Sequence, residues 1–223
     1  MEDHTSGPCD GEVAMGGHAK RADARRNRAQ VLQAAEVAFA EKGLGVPIDE
    51  IAQSAGVGVG TVYRHFPTKE ALATAVVITR MEKLAEEAED LTKSDDPGGA
   101  LFGFVFQLAE QASAKRDLVE ALLGAGIDVK ASAKASWEKV EKAAHVLLGR
   151  AQQAGCVRTD IGFADLFGLV MGTCAYQGHD LEGSSRTRML SVVCDGLRPG
   201  GSSAVESSVE ASRSRLSRPS SRR

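Results

Sequence analysis

Thr61, Tyr63, Arg64, His65 and Lys69 bring a hydroxyl, a phenol, a guanidinium, an imidazole and an ammonium group into one short stretch of the chain. Such groups hydrogen-bond to phosphate oxygens, and they position a protein on nucleic acid without reading its sequence. Tyr63, His65 and Lys69 are expected to contact phosphates, ordinary surface positions being the other reading. Thr61 is the candidate for touching a base, through its methyl or its hydroxyl, and Arg64 reaches either a base or a phosphate. A second cationic group, Lys20, Arg21, Arg25, Arg26 and Arg28, lies just before and at the start of the first helical segment. Positive charge there opposes the helix dipole, so Arg25, Arg26 and Arg28 either hold an external anion such as a phosphate or lie on a solvated face.

No catalytic set accompanies these residues. His145 and His179 stand apart from any serine or cysteine nucleophile motif, and most carboxylates fall in exposed helical rows. Gly56, Gly58 and Gly60 form a G-V-G-V-G string, but no strand pattern precedes it and no G-K-[S/T] follows, which argues against a nucleotide-phosphate loop. Cys9, Cys156, Cys174 and Cys194 show no CxxC or CxxH spacing, so no metal is expected, and no cofactor. Cys174 and Cys194 fall on apolar faces and read as small buried hydrophobes. Cys156, beside a helix end, is either inert or redox-active.

The polar stretch needs a frame to hold it. Ile48, Ile51 and Ala52 fall at i, i+3, i+4 on one face of a short helix, Gly56 stands where that helix must stop and reverse, and Val57 packs the turn. A second short helix follows through Val59, Val62 and Phe66, with Thr61, Arg64 and His65 on its other faces and Tyr63 beside them. This is a helix-turn-helix, whose second helix is of the type that enters the major groove of DNA. Gly58, Val59 and Gly60 open that helix and are counted with its DNA surface, the two glycines allowing close approach at some cost in helix propensity. Asp23 to Lys42, with Val31, Leu32, Ala35, Ala38 and Phe39 as its buried stripe and Gly43 as its stop, completes a three-helix unit. Thr68 supplies an N-cap hydroxyl to a long fourth helix through Val77, Met81, Leu84, Ala88 and Leu91, which ends in the loop Ser94 to Gly99.

The remainder is helical in pattern, with no convincing period-2 segment, so the fold class is all-α. Further helices are expected at Ala100 to Ala112, Arg116 to Leu123, Ala131 to Ala154, Phe163 to Tyr176 and Arg186 to Leu197. The fourth of these carries a line of small residues, Ala164, Gly168 and Gly172, spaced by four opposite its apolar stripe. Such a face suits close approach by a second copy of the chain, with Met189 and Val193 of the last helix as the other side of the interface. With 43% hydrophobic residues in 223, the chain can build a sizeable core. No apolar run is long enough to cross a membrane, and the first residues lack the apolar middle of a signal peptide, so a cytoplasmic protein with no membrane partner is expected. The net charge of -3 leaves any nucleic-acid binding to local charge. Residues 1–19 and the Ser- and Arg-rich 199–223 read as unstructured, 20–67 as the DNA-binding domain and 68–198 as a second, helical domain suited to dimerisation.

The stretch Gly43 to Leu72 resembles the DNA-binding domain of TetR-family (tetracycline-repressor-like) transcriptional regulators. Gly43, Ile48, Ile51 and Ala52 match the start of the family's pattern, and Tyr63, His65, Phe66, Thr68, Lys69, Glu70 and Leu72 match its end. Pro47 departs from it, standing where many members have a Thr or Ser that caps the helix and touches a phosphate; a proline at the first helical position is sterically comfortable. The resemblance implies a homodimer on a palindromic double-stranded DNA operator, acting as a repressor and released by an unidentified small molecule. It also implies a pocket in the second domain, for which Phe102, Phe106, Trp137, Phe163 and Phe167 are candidates, core packing being the other reading. The alternative function is a helical small-molecule-binding or enzymatic protein in which the helix-turn-helix is a fold element only.

Overall fold

The computed structural model describes residues 12–175 and 183–200, and every element among them is helical. The order is α1 (Glu12–Lys42), a single 3-10 turn (Gly43–Gly45), α2 (Ile48–Ser54), α3 (Val59–His65), α4 (Lys69–Leu91), α5 (Pro97–Gly124), α6 (Val129–Gln153), α7 (Phe163–Ala175) and α8 (Gly183–Gly196). Residues 1–11, 176–182 and 201–223, which include Cys9, Tyr176, His179 and most of the Arg-rich tail, lie outside the described residues.

Two helices differ from the pattern-based expectation. α1 begins at Glu12 rather than Asp23, so residues 12–19, expected to be unstructured, are helical. Ala14, Met15, Ala19, Ala22 and Ala24 are strong helix formers, no proline interrupts them, and together they offset the cost of Gly16 and Gly17. Ala100 to Ala112 and Arg116 to Leu123 are one continuous helix, α5. The apolar periodicity fades between them, but A-S-A-K-R-D contains neither glycine nor proline to end a helix.

The helix ends are chemically specified. Thr68 Oγ1 accepts from the Ala71 N–H at 3.0 Å, the expected N-cap of α4. Asp96 caps α5 by accepting from Gly99 N–H at 2.9 Å, with Pro97 in the first helical position where its missing N–H is harmless. Arg150 of α6 donates to the carbonyls of Thr92 and Ser94, satisfying the C-terminal end of α4.

The chain forms two compact units. One comprises the described residues up to Thr79 together with Asp117–Ser132; the other comprises Arg80–Arg116 and resumes at Ala133. The expected domain boundary at 67/68 coincides with the start of α4, whereas the units divide inside that helix. Leu72, Ala73, Val76 and Val77 of α4 are buried in the first stretch, and Leu84, Ala85 and Ala88 in the second. In the first unit Val31, Ala35 and Phe39 of α1, Ile51 and Ala52 of α2, and Val62 of α3 are buried. The second has one continuous core of Leu84, Ala88, Leu101, Phe104, Val105, Val140, Ala144, Leu147, Leu166, Val170, Leu190 and Cys194, drawn from α4, α5, α6, α7 and α8.

Candidate nucleic-acid interface

The reversal between α2 and α3 is fixed by Gly56, whose φ of 67° is in the left-handed region that only glycine enters freely. Its N–H reaches Gln53 O at 3.1 Å and the Val57 N–H reaches Ala52 O at 3.0 Å, the paired bonds that close a Schellman turn. Pro47 is the residue before α2 rather than its first helical residue, at φ −66° and ψ 146°, and its side chain makes no cap. Asp49 and Glu50 in the first turn supply negative charge at that end instead. Glu50 also pairs with Lys42, and this hydrogen bond holds the Lys42 ammonium above the usual lysine range.

From this turn α3 emerges with one side anchored. Val62 is fully buried and Phe66, just past the helix, nearly so. Gly60, Tyr63 and Arg64, at i, i+3 and i+4, share the opposite, outward side; Tyr63 is 48% exposed. Val59, Thr61 and His65 are half-buried on its shoulders, and Gly58 is exposed. A Cβ added at Gly58 or Gly60 would meet nothing within 4 Å, so no neighbour inside the chain calls for glycine at either position.

The cations around α3 divide into two kinds. Arg25 and Arg64 are exposed, and among the described residues neither forms an ion pair. Arg26 is exposed too, with Asp23 beside it at 2.5 Å. Arg28 instead lays its guanidinium over the Phe66 ring, 5.3 Å from the centroid, a cation–π contact that ties α1 to the end of α3. Lys69 is half-buried and its Nζ donates to the Leu44 carbonyl at 3.0 Å, bracing the start of α4 against the connection between α1 and α2. Sequence spacing alone grouped all of these together; the two braces depend on contacts across 25 residues and more that spacing does not reveal.

In the second unit the five aromatic candidates separate. Trp137 packs on Phe167 at 4.9 Å and Phe163 at 6.4 Å between centroids, with His145 tilted against Phe163 at 5.0 Å. Phe102 lies apart under the Arg198 guanidinium, and Phe106 is partly buried against the core. Surface clefts in this unit lie among the described residues. A groove of about 730 Å3 runs between Glu82, Glu86 and Glu89 of α4 and Lys139 and Lys142 of α6. Another, about 530 Å3, is bordered by Phe102, Cys156 and Arg198, so of the five aromatics only Phe102 lines either of these clefts. Cys174 and Cys194 are buried, and burial pushes the Cys194 thiol up. Among the described residues no group of His, Cys, Asp and Glu side chains could hold a metal ion.

On α7 the small residues Ala164, Gly168 and Gly172 are all exposed, and a Cβ at either glycine would meet open space. Met189 and Val193 of α8 are half-buried. The sequence reading missed Leu169 and Val192, which are 45% and 71% exposed; a large apolar residue beside the small-residue line was the available signal.

A short helix held outward by a glycine turn, with a hydroxyl, a phenol and free guanidinium groups around it, defines a DNA-binding helix-turn-helix protein. The comparisons with known proteins give the particular family. The model for bacterial regulatory proteins of the tetR family matches residues 31–76, and the model for the SbtR-like transcriptional regulator C-terminal domain matches residues 96–199. A TetR transcription regulatory protein from Mycobacterium vanbaalenii has a solved structure that is 43% identical, with a TM-score of 0.67, covering 80% of this chain and 98% of that one. The HTH-type transcriptional regulator UidR of Escherichia coli K12 is 25% identical over 180 residues, 79% of this chain and 91% of UidR. The HTH-type transcriptional regulator SAR0097 of Staphylococcus aureus is 36% identical over 75 residues, and there the match spans only 39% of its length. This chain therefore belongs to the TetR family of transcriptional regulators: a DNA-binding helix-turn-helix followed by a helical C-terminal domain. Among the described residues no helix is long and apolar enough to cross a membrane.

Proposed function

We propose that the protein is a ligand-responsive repressor that binds a palindromic operator as a homodimer and leaves it when a small molecule binds the second unit. The observation that carries the DNA-binding half of this reading is the outward side of α3, where Gly60, Tyr63 and Arg64 stand clear of the chain while Val62 and Phe66 hold the helix from behind. Tyr63 and His65 meet phosphates, Arg64 meets a phosphate or a base edge, Arg25 and Arg26 add cationic contacts from α1, and Thr61 reads a base edge. Homodimerisation places Ala164, Gly168 and Gly172 of α7 against a second copy, with Met189 and Val193 of α8.

The release step rests on α4, one helix with buried residues in both compact units. A ligand that favours a tilted α4 changes the separation of the two copies of α3, and both can no longer dock on one duplex. Couplings of this kind are worth about 1–3 kcal/mol, and operator must weaken ligand binding by the same factor. The test is a fluorescence-anisotropy titration with duplexes from upstream of the protein's own gene and with scrambled duplexes of equal length. Tight binding to one duplex and weak, strongly salt-dependent binding to the scrambled set is the expected result. Equal affinity for all sequences would favour the other reading, a helical small-molecule-binding protein whose helix-turn-helix is a fold element.

A further inference from the structure

Two buried acceptors on α5 have no donor. The side-chain oxygens of Gln107 and Gln111 are buried, and neither has a hydrogen-bond partner. The two residues are four apart, so both carboxamides leave α5 on the same side, with Cβ atoms about 5–6 Å apart. That side is otherwise apolar. Ala100, Phe104 and Leu108 share it and are 4%, 0% and 4% exposed. It is turned away from Ala109, whose carbonyl accepts from Cys174 of α7 at 3.4 Å, and from Phe102.

A glutamine in such a stripe is unfavourable unless its carbonyl is paired, because it gives up its hydrogen bond to water and gains none. Methionine or leucine would fill a similar volume without that loss. The chain nevertheless places an amide at two successive turns, and among the described residues nothing supplies the missing N–H or O–H. We propose that Gln107 and Gln111 are the polar recognition pair of the effector site, and that the effector presents two hydrogen-bond donors about one helical turn apart. Hydroxyl, amine and amide N–H groups fit the two buried carbonyl oxygens. The inference rests on the second unit being the effector domain, and it adds the chemistry that domain selects.

The test uses the full chain and the variants Gln107→Met, Gln111→Met and their double. In the absence of any additive, the unpaired oxygens predict that each substitution raises the melting temperature, since an unsatisfied acceptor is replaced by an apolar group of similar length. A fall instead would show that buried water or a protein group already satisfies the amides, and would overturn the proposal. The second arm compares tetramethylene glycol, which carries two hydroxyl donors at about the required separation, with its dimethyl ether, which carries none. The glycol should raise the melting temperature of the wild-type chain more than the ether does, and the double variant should lose that difference. No difference between glycol and ether in the wild type, or the same difference in the double variant, would overturn the site. If the glycol acts through the pair but leaves operator affinity unchanged at saturation, the pair is a binding site and its assignment as effector site is overturned. The stability arm stands whether or not the protein represses transcription, so failure of the site and failure of the repressor reading are told apart.

Discussion

α3 and α7 each carry a pair of exposed glycines, and at all four positions a Cβ would meet nothing within 4 Å. Gly58 and Gly60 sit at the start of α3, Gly168 and Gly172 along α7, and in neither case does the fold of the chain itself require a missing side chain. Helix propensity alone would favour alanine at Gly60, Gly168 and Gly172. What separates the two surfaces is their surroundings. Around Gly60 stand Tyr63 and Arg64, donors suited to phosphate; around Gly168 and Gly172 stand Ala164 and the exposed Leu169, which offer no donor. On the proposed function, each glycine pair lets another backbone come close, and the neighbouring side chains select a duplex at α3 and a protein at α7.

The strongest way to break this comparison is to fill the α7 surface. Gly172→Leu should leave the fold intact, because its side chain enters open space, yet give monomers in sedimentation. Operator affinity should then fall on the order of 10²–10⁴-fold as the second half-site contact is lost. Dimers of normal stability would remove α7 from the interface. Next in size is the polar side of α3. Arg64→Ala should cost about 1–3 kcal/mol of operator binding if Arg64 reads a base, or lower the salt slope by about one if it meets a phosphate, and Thr61→Ala should relax preference at one base pair.

Two smaller effects sharpen the contrast between contacts and braces. Lys69→Ala should lower the melting temperature by about 2–4 °C, the size expected for losing roughly 1 kcal/mol in a chain of this length, because its ammonium holds Leu44 O. Its salt slope on DNA should stay as in the wild type, and a drop of one unit would return Lys69 to the phosphate-contacting set. Gly60→Ala should raise stability by about 0.5–1 kcal/mol while weakening binding to every duplex. An unchanged affinity would mean that the start of α3 does not approach the DNA backbone closely.

The helix-turn-helix was legible because each signal in it is local. Ile48, Ile51 and Ala52 mark one face by their spacing, Gly56 marks the reversal by a backbone angle few other residues accept, and Thr68 caps the next helix three residues away. The long helices were legible where their apolar period was regular, as in α4, α6 and α7. They were misread where helix continues without an apolar stripe, at residues 12–22 of α1 and through Ala112–Arg116 of α5, since helix formers without that stripe leave no periodic trace. The intrachain contacts of Arg28 and Lys69 were not legible, because the Phe66 ring and the Leu44 carbonyl that engage them are distant in sequence. The grouping of the aromatic candidates was not legible for a related reason: their type predicts burial, but only the packing shows that Trp137, Phe163 and Phe167 cluster while Phe102 stands with Arg198.

The central claim is that two copies of α3, presented by a dimer joined through α7, read one duplex together. It is tested most directly by measuring affinity for a series of duplexes in which the two halves of the selected operator are moved apart one base pair at a time. The account predicts a sharp maximum when the half-site centres lie one helical turn apart, about 34–36 Å, or a whole multiple of it, with loss of affinity on either side. An affinity that does not vary with spacing would contradict it, because each α3 would then be binding alone.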